Sequence, residues 1–314
     1  MYPSVYTVIV SYNTRDLTMR CIESLKNVKY PTHSIVVVDN GSSDGSEDVI
    51  RATYRDVTVI QTHNNLGYTG GNNIGIIHAL STKSDYVLIL NPDTIVINYH
   101  FITEMVAYLS ENSDVGIVGP RVFLREFGNI QNTVLFEPSL KRNIENWFRF
   151  RIDPEFAHLS KDNIVEAEVL NGVCLLIRSQ CLREIGLFDD NIFMYIEDID
   201  MQHRARANGW RIQYLPINSI IHVQKETGYN MISNVSFLLK RNSVYFLNKI
   251  GKKFDAIGFA ILSIGLVLMR AVIPLNREGE SFSSYIRFTK RLIHSYIAIF
   301  EGCKPNKNFG PPYC

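Results

Sequence analysis

The strongest constraint on the fold is the alternation of short apolar runs with helix-like segments in the first part of the chain. Strands that are buried on both faces read as continuous apolar runs, and such strands are typical of parallel sheets covered by helices. The segments between the runs carry apolar residues at helical spacing, as crossover connections do. The sequence therefore predicts an α/β fold with a mainly parallel central sheet and helices on both faces. The predicted strands lie at residues 7–13, 34–40, 57–61, 86–91 and 115–120.

The net charge and its distribution along the chain indicate which partners the protein can bind and how its domains are organised. The 314 residues carry a formal net charge of +1, so no overall field favours nucleic acid. From Lys240 onward, however, Lys and Arg clearly outnumber Asp and Glu, and the pattern becomes amphipathic and helical. Such a segment favours an anionic neighbour, and a phospholipid surface is the simplest one. We predict an α/β domain over residues 1–230, with halves at about 1–120 and 121–230, and a basic helical extension over 231–314.

The longest apolar run, residues 256–269, leaves two interpretations open. It is shorter than the roughly 20 residues that span a bilayer, and Arg270 interrupts its continuation. Lys252 and Lys253 precede it, which favours a helix that lies at a membrane interface. A helix buried in the protein core is the alternative.

The N-terminus and the cysteines indicate a cytoplasmic protein. The first residues lack the basic segment and the small-residue cleavage site of a signal peptide. The cysteines are odd in number and none has the spacing of a zinc site, so we expect reduced thiols. They are Cys21, Cys174, Cys181, Cys303 and Cys314.

Polar side chains follow three of the predicted strands at the point where each strand ends. Ligands of parallel α/β sheets bind outside the carboxyl ends of the strands, so these side chains are candidate ligand contacts. Asp39 could accept a hydrogen bond from a nucleobase or a ribose. The alternative is that its segment is only a tight turn before the next helix. The strand-end residues are Ser11, Tyr12, Asn13, Asp39, Asn40, Asn91, Pro92 and Asp93.

A segment rich in glycine and asparagine follows the third predicted strand. In "NLGYTGGNNIG", residues 65–75, Gly70 and Asn72 stand where the backbone could pass close to a ligand. A plain flexible loop is the alternative. A dinucleotide-binding fold would need G-x-G-x-x-G after the first strand, where this chain has "SYNTRD". The position of the glycines argues against a nicotinamide-dependent dehydrogenase.

An acidic block follows the apolar stretch "IFMYI". Glu197, Asp198 and Asp200 fall within four positions, and crowded carboxylates raise a pKa, which suits a general base. Acids in the first turn of a helix and bases in the last also suit the helix dipole, so a structural role is the alternative. His222 ends another apolar run and is either a ligand or a structural histidine.

Together these segments resemble glycosyltransferase family 2, an inverting family with the GT-A fold. The resemblance runs from about Tyr6 to Lys249. Within the family, the chain is most similar to bacterial rhamnosyltransferases of cell-surface polysaccharide assembly. Each motif alone is weak, but the seven occur in the order of the family. They are "VIVSYN", "VVVDNGSSDGS", "NLGYTGGNNIG", "LILNPDT", "NGVCLLIR", "GLFDDNIFMYIEDIDMQHRARANGWR" and "IIHV".

The resemblance implies a role for each candidate residue. Asp198 would be the catalytic base, and Asp93 with His222 would hold a divalent metal, Mg²⁺ or Mn²⁺. Asn91 replaces the first acid of the family's D-x-D motif, which leaves open how strongly metal is required. The residues implied for the nucleotide-sugar are Ser11, Tyr12, Asn13, Asp39, Asn40, Gly70, Asn72, Asn91, Asp93 and Glu197.

The resemblance also implies an inverting transfer of L-rhamnose from dTDP-rhamnose to a hydroxyl of a glycan or lipid-linked oligosaccharide, as in O-antigen synthesis. The enzyme would act at the inner face of the bacterial cytoplasmic membrane as a peripheral protein. A homo-oligomer stays open, and nucleic acid is not an expected partner. The family's processive Q-x-x-R-W motif is absent from the sequence, so addition of one or a few sugars is expected.

Two alternatives remain open at this point. One is a UDP-hexose donor, with galactose, galactofuranose or glucose, because "VVDNGSS" does not separate uracil from thymine. The other is a non-catalytic nucleotide-sugar or glycan-binding protein, against which Asp93, Asp198 and His222 argue together. A sugar-nucleotide pyrophosphorylase would need a glycine- and lysine-rich or arginine-rich loop after the first strand, and "SYNTRD" lacks one.

Overall fold

The protein forms two compact units in a computed structural model that describes residues 2–148, 162–223, 233–272 and 281–305. The α/β unit contains described residues 2–137, 162–189 and 198–223. The helical unit contains described residues 138–148, 190–197, 233–272 and 281–305. The boundary near residue 230 stays a prediction of domain organisation.

The elements follow the predicted alternation. In chain order up to the end of the main sheet they are β1 Val5–Ser11, α1 Arg15–Leu25, β2 His33–Asp39, α2 Ser46–Thr53, β3 Thr58–Gln61, α3 Gly67–Ser81, β4 Tyr86–Leu90, β5 Thr94–Val96, α4 Phe101–Glu111, β6 Val115–Leu124, β7 Val134–Leu135, α5 Leu140–Phe148, β8 Val165–Glu166, β9 Val169–Leu170, β10 Cys174–Arg178, α6 Ser179–Ile185, α7 Glu197–Ala207 and β11 Arg211–His222. Three helices follow: α8 Asn234–Lys249, α9 Lys253–Val272 and α10 Phe282–Phe300.

The α/β unit is built on one large sheet. Within the described ranges it has nine strands in the order β3-β2-β1-β4-β10-β6-β11-β5, with β8 paired to β11. Strands β3, β2, β1 and β4 run parallel, as does the pair of β6 and β11. Strands β10, β5 and β8 run antiparallel to their neighbours. The predicted mainly parallel sheet is confirmed.

The sheet is buried on both faces, which explains the continuous apolar runs. Along β4, Leu88 and Leu90 enter a cluster with residues of α1 and α4. Val87 and Ile89 enter the opposite cluster, with residues of α3, α6 and α7. Successive strand residues point to opposite faces, so both sets must be apolar. Burying each such side chain contributes about 2 kcal/mol relative to leaving it exposed.

Most of the glycine-rich segment is helical, which excludes the plain flexible loop that was its alternative interpretation. Helix α3 begins at Gly67, whose φ is +77°, and continues through the glycines. A Cβ at Gly71 would lie 2.6 Å from Cγ1 of Val10, and one at Gly75 would lie 2.3 Å from Cγ1 of Val8. These glycines therefore let α3 approach β1 closely.

Two further segments form elements beyond the five predicted strands. The apolar run at residues 167–178 forms strands β9 and β10, which Asn171 and Gly172 separate. The described part of residues 121–163 contains the end of β6, strand β7 and helix α5. Cys21, Cys174 and Cys181 are buried free thiols, whereas Cys303 is disulfide-bonded, contrary to the prediction of reduced thiols throughout.

The helical unit contains α5, α8, α9 and α10. Helix α8 starts at an N-cap, where the Ser233 side chain accepts from the backbone N–H of Ser236. Helix α9 packs against α5, α8 and α10. A Cβ at Gly258 of α9 would lie 2.5 Å from the side chain of Leu140, so glycine permits the close contact with α5. The predicted helical extension is confirmed.

Candidate active site

The predicted site residues of the α/β unit meet at one edge of its sheet. Strands β1, β2 and β4 run parallel and end there, with Ser11 beside Asp39 in the register. The antiparallel strand β10 begins at the same edge, because Cys174 pairs with Leu90. Ligands of such sheets bind outside the carboxyl ends of the parallel strands. Three groups of polar side chains lie along this edge.

The first group surrounds Asp39, which is fully buried at the end of β2. Its Oδ1 accepts from the backbone N–H of Ser42 at 2.8 Å and from Nε2 of Gln61 at 3.2 Å. Its Oδ2 is buried and makes no hydrogen bond in the structure. A buried carboxylate oxygen without a donor is costly, so this atom is suited to accept an N–H or O–H from a ligand.

The loops after β1 and β2 are tied together beside Asp39. Asn13 has a positive φ of 52°, and its Oδ1 accepts from the backbone N–H of Ser43 at 2.8 Å. The N–H of Asn13 in turn donates to Oγ of Ser42 at 3.0 Å. The neighbouring Tyr12 side chain is 45% exposed, so it is accessible to a ligand. Ser11 is buried and bonds to Oγ1 of Thr18 at 2.9 Å.

The second group joins the two predicted metal ligands. Nε2 of His222, at the end of β11, lies 3.1 Å from Oδ2 of Asp93, in the turn between β4 and β5. Nδ1 of His222 lies 2.9 Å from Oε1 of Gln131. An amide oxygen can only accept, so this contact places a proton on Nδ1. Gln131 thus orients the ring so that Nε2 faces Asp93, and a metal ion bound between the two would use the Nε2 lone pair of the tautomer that has its proton on Nδ1.

This pair fits a divalent ion whose remaining ligands come from a substrate. Among the described residues, no group of three His, Cys, Asp or Glu side chains is arranged to hold a metal. Mg²⁺, however, commonly takes only one or two protein ligands and completes its shell with phosphate oxygens and water. Asp93 supplies one carboxylate oxygen of that kind, and His222 adds an imidazole nitrogen, a ligand that transition-metal ions accept more readily than Mg²⁺.

The third group links Asn91 to Asp198 through Tyr68 and Gly172. The Tyr68 hydroxyl lies 3.2 Å from Oδ1 of Asn91 and 3.0 Å from the carbonyl oxygen of Gly172. The N–H of Gly172 donates to Oδ2 of Asp198 at 3.1 Å. Gln202 holds α7 in place, because its side chain bonds to both backbone groups of Leu170, at 2.8 and 2.7 Å.

The pKa of Asp198 is raised, and the main cause is its desolvation by the protein. Backbone N–H donors from Gly172 and Ile199 act in the opposite direction. The predicted crowding of carboxylates is relieved at Asp200, whose Oδ2 pairs with Nε of Arg204 at 2.9 Å. The direction of the predicted pKa shift is confirmed, but burial is its main cause.

A strained turn in the helical unit leads into α7. Tyr195 and Ile196 have positive φ values of 69° and 77°, which non-glycine residues rarely adopt. In that unit, Nδ2 of Asn242 donates to the carbonyls of Met194 and Tyr195 at 2.9 and 3.1 Å. Glu197, the first residue of α7, is buried. Strained backbone of this kind persists where surrounding contacts fix it and clusters at functional sites.

Two predicted nucleotide-sugar contacts, Asn40 and Asn72, have local hydrogen-bond partners, and a third, Gly70, lies close to a neighbouring side chain. Asn40 is buried, and its side chain bonds to the backbone of Leu66 at 3.0 Å and of Gly67 at 2.9 Å. Asn72 donates to the carbonyl of Tyr68 at 2.9 Å within α3. A Cβ at Gly70 would lie 2.7 Å from Cβ of Leu66. Their roles at a ligand stay predictions.

The sequence did not single out Tyr68, Gln131 or Gln61. Gln61 ends β3 beside Asp39, so the strand-end rule could have found it. Tyr68 is the aromatic residue inside the glycine-rich motif, which is a weak signal. Gln131 lies 91 positions before His222 in a segment without a readable motif, so no sequence signal identifies it.

Comparison with known sequences places most of the chain in one family. Residues 3–241 match the family described as "Glycosyltransferase like family 2". The chain is 28% identical over 267 residues to the low-salt glycan biosynthesis hexosyltransferase Agl10 of Haloferax volcanii, covering 84% of this chain and 82% of that one. It is 25% identical over 261 residues to an N-acetylglucosaminyl-diphospho-decaprenol L-rhamnosyltransferase of Mycobacterium tuberculosis, covering 77% and 83%.

Solved structures share the fold of the chain. The mannosyltransferase PcManGT of Pyrobaculum calidifontis, in complex with GDP-Man and Mn²⁺, is 16% identical, with a TM-score of 0.58 over 96% of this chain and 88% of that one. Residues 1–349 of Staphylococcus aureus TarS give a TM-score of 0.56 at 14% identity, over 95% and 87%. These likenesses confirm the predicted GT-A type of fold.

Proposed function

Because the chain belongs to the family described as glycosyltransferase-like family 2, we propose that it transfers L-rhamnose from dTDP-rhamnose to a hydroxyl of a lipid-linked glycan. Glycosyl transfer follows from the family, whereas the sugar and the acceptor are the proposal. Two relatives are rhamnosyltransferases by name, the mycobacterial enzyme and WbbL of Escherichia coli, which is 26% identical over 226 residues, 69% of this chain and 83% of that one. The name of the mycobacterial enzyme includes a diphospho-decaprenol acceptor.

The proposal rests on one observation: three groups of side chains with different chemistry lie at the same edge of the sheet. Asp39 offers a buried carboxylate oxygen that lacks a donor, which suits a base N–H or a ribose O–H of a nucleotide. Asp93 and His222 offer two ligand atoms 3.1 Å apart, which suit the ion that accompanies a diphosphate. Asp198 offers a carboxylate of raised pKa. A nucleotide-sugar and an acceptor hydroxyl require these functions together.

The proposed reaction is a single displacement with inversion. The acceptor oxygen attacks the anomeric carbon while the bond from that carbon to the diphosphate oxygen breaks. The acceptor proton passes to Asp198, and the nucleoside diphosphate leaves with the bonding electrons. A raised pKa suits Asp198, because a base takes up a proton best when its pKa approaches the working pH.

The other residues of the edge hold the donor and the base in position. Asp39 and the loops at Asn13 and Ser42 would hold the nucleotide, with Tyr12 exposed beside them. Gly172 fixes the Asp198 carboxylate through its backbone N–H. When bound at Asp93 and His222, a divalent ion supplies positive charge that stabilises the leaving diphosphate.

The lipid-linked acceptor implies a place of action at a membrane. We propose that the protein works at the cytoplasmic face as a peripheral enzyme of surface polysaccharide synthesis, such as O-antigen assembly. In the described part of the chain, one helix, α9, is long and apolar enough to cross a bilayer by length and composition. Core helices of soluble proteins are also long and apolar enough to pass this test. Helix α9 therefore supports a membrane location only in combination with the proposed lipid-linked acceptor.

Calorimetric titration tests the donor. Purified protein is titrated with dTDP-rhamnose, UDP-galactose, UDP-galactofuranose and UDP-glucose, each with Mg²⁺, with Mn²⁺ and with a chelator. We expect the tightest and metal-assisted binding for dTDP-rhamnose. Preference for a UDP-sugar would overturn the rhamnosyl assignment and favour a hexosyltransferase. Binding of no nucleotide-sugar would contradict the catalytic function and favour a glycan-binding protein of this fold.

A further inference from the structure

The two C-terminal helices of the helical unit each expose an apolar stripe. On α9 the side chains of Phe254, Ile261 and Val272 are 89%, 65% and 68% exposed. Their spacings of 7 and 11 residues place them on one face of the helix. On α10, Ile293 and Ile297 are exposed one turn apart. Exposed apolar side chains arranged in stripes indicate a contact surface.

The opposite face of α9 is the one that packs inside the unit. Ala256, Ala260, Ser263 and Ala271 are buried and recur at helical spacing. Oγ of Ser263 and the hydroxyl of Tyr296 in α10 form a buried hydrogen bond of 2.8 Å. Only 28% of the most apolar stretch of α9 is buried, so much of this helix lies at the surface of its unit. This exposure favours the interfacial interpretation of residues 256–269 over the buried-core interpretation.

A basic stripe lies beside the apolar stripe on α10. Arg287, Lys290, Arg291 and His294 line a cavity of about 320 Å³. Arg291 is held in place, because its guanidinium carbon lies 3.6 Å above the centre of the Phe237 ring and its Nη1 donates to Oδ1 of Asn234 at 3.1 Å. Within the described ranges, no carboxylate forms an ion pair with Arg287, Lys290 or His294.

The packing of α9 on α10 argues against a transmembrane orientation. The bond from Ser263, midway along α9, reaches Tyr296 in the C-terminal half of α10, and the two helices pack against each other, so α9 cannot enter a bilayer without α10. The basic stripe of α10 would then have to enter the hydrocarbon core, where cations are strongly disfavoured. Both helices instead fit the plane of the interface, with the apolar stripes toward the acyl chains and the basic stripe at the phosphates.

We propose that α9 and α10 form a docking surface for an anionic phospholipid bilayer, with the lipid phosphates bound by Arg287, Lys290, Arg291 and His294. The inference rests on the proposed function, because it gives the membrane-bound acceptor a surface on which the enzyme can work. Charge complementarity favours a bilayer over a second copy of the chain. A two-fold dimer through this face would place the same patch of both copies together and bring like charges near each other.

Vesicle co-sedimentation of the full chain tests the proposal. One vesicle is phosphatidylcholine alone, and in the other about a third of the lipid is phosphatidylglycerol, which gives an anionic surface. We expect binding to the anionic vesicle and release at high salt, because exposed charge interactions are screened. Arg287→Gln with Lys290→Gln should weaken the partition coefficient about 30-fold, since each cation near an anionic surface contributes about fivefold.

Two further variants separate charge from apolar contact. Ile261→Ser with Ile297→Ser should reduce both the vesicle binding that high salt releases and the vesicle binding that remains at high salt. Arg20→Gln with Arg55→Gln removes the same charge from exposed positions of the α/β unit and should leave binding unchanged. All of these positions are exposed, so the variants are expected to fold, and circular dichroism checks that they do.

Three outcomes would overturn the proposal. If the control variant at Arg20 and Arg55 lost as much vesicle binding as the variant at Arg287 and Lys290, the net charge of the protein alone would explain the binding. Protein that stays in the membrane pellet after high salt and alkaline extraction would indicate a spanning helix. A concentration-dependent dimer that the Ile261 and Ile297 variant abolishes, without vesicle binding by the wild type, would show that a second copy occupies the face. Calorimetric binding of the nucleotide-sugar in the absence of lipid tests the proposed function separately.

Discussion

The α/β unit and the helical unit use apolar residues in opposite ways. In the α/β unit, apolar side chains fill both faces of the sheet, and polar groups are gathered at one edge. In the helical unit, α9 keeps small residues inside and turns Phe254, Ile261 and Val272 outward. A sheet buried on both sides gives a rigid frame for groups that must be held at fixed distances. An apolar stripe beside a basic stripe suits a fluid partner such as the proposed lipid bilayer, whose groups need not be held at fixed distances.

The difference suggests a division of labour between chemistry and location. Each group in the site of the α/β unit has a partner that holds it, such as Gly172 for Asp198 and Gln131 for His222. On the exposed face of α10, Lys290 and His294 are oriented by no such partner among the described residues. Variants in the first set should therefore change turnover or donor binding and leave membrane binding intact. Variants in the second set should do the reverse.

The largest effect is expected for Asp198→Asn. Removing a general base typically lowers the rate by about 10²- to 10⁴-fold, so we expect a loss near a thousandfold in kcat. Donor affinity and vesicle binding should be unchanged. Asp16→Asn, at a side chain that is 85% exposed, is the matched control. A donor affinity that falls together with kcat would mean that Asp198 binds the donor, which would remove it from the role of base.

The pH dependence of kcat sharpens the same assignment. Burial raises the pKa of Asp198, so the carboxylate becomes protonated at a higher pH than an ordinary Asp. Only the deprotonated form can accept the acceptor proton, so kcat should fall as the pH drops, by about tenfold per pH unit below that pKa. The acid limb should lie above the ordinary range of Asp. A limb within the ordinary range would contradict the buried environment.

Asp39→Asn should weaken binding of the nucleoside diphosphate. A hydrogen bond to a charged group contributes about 1.5–3 kcal/mol, so the Kd should rise about 10- to 100-fold. Asn can keep the bond from Ser42 at Oδ1, which preserves the local turn. Calorimetry with dTDP and UDP measures the change. An unchanged Kd for both nucleotides would show that the buried Oδ2 serves the fold alone.

Gln131→Met should weaken metal binding without touching a metal ligand. Replacing the partner of a metal-binding histidine costs about 10- to 100-fold in affinity, because the ring loses its fixed orientation and tautomer. Mn²⁺ titration in the presence of dTDP, followed by electron paramagnetic resonance, gives the affinity. Gln131→Glu keeps an acceptor at the same place and should retain binding. Equal losses in both variants would point to a general disturbance of the loop.

The smallest effect is expected for Tyr68→Phe. The Tyr68 hydroxyl joins Asn91 to the carbonyl of Gly172, whose N–H holds Asp198. Loss of one neutral hydrogen bond is worth about 1 kcal/mol, so kcat should fall about fivefold with little change in donor KM. Tyr2→Phe, at an exposed side chain that precedes β1 and lies outside the site, is the comparison in the same assay. A change confined to KM would place Tyr68 with the donor.

The sheet could be predicted from sequence because its signal is local. Two-sided burial makes each strand a continuous apolar run, as in Val87 to Leu90, and the strand ends then follow from the pattern. The start of α3 could not be predicted in this way. Its glycines look like loop residues, and only their contacts with Val8 and Val10 on β1 explain why they are glycine within a helix.

The acids of the candidate site can be recognised in the sequence, but the contacts that hold them cannot. Asp39, Asp93 and Asp198 stand out as acids after apolar runs. The groups that hold them come from distant segments. Tyr68 reaches Gly172 across 104 positions and His222 reaches Gln131 across 91, and neither partner has a local signal. Burial, which raises the pKa of Asp198, likewise depends on the folded chain rather than on its neighbours in sequence.

Phosphorus NMR of dTDP-rhamnose incubated with the protein, Mg²⁺ and a bacterial fraction of polyprenol-diphosphate glycans tests the proposed transfer most directly. We predict that the wild type converts the sugar-linked diphosphate to free dTDP, whereas Asp198→Asn binds the donor and leaves it intact. Conversion by Asp198→Asn at the wild-type rate would contradict the assigned base. Binding without any conversion by the wild type would contradict transfer from this donor.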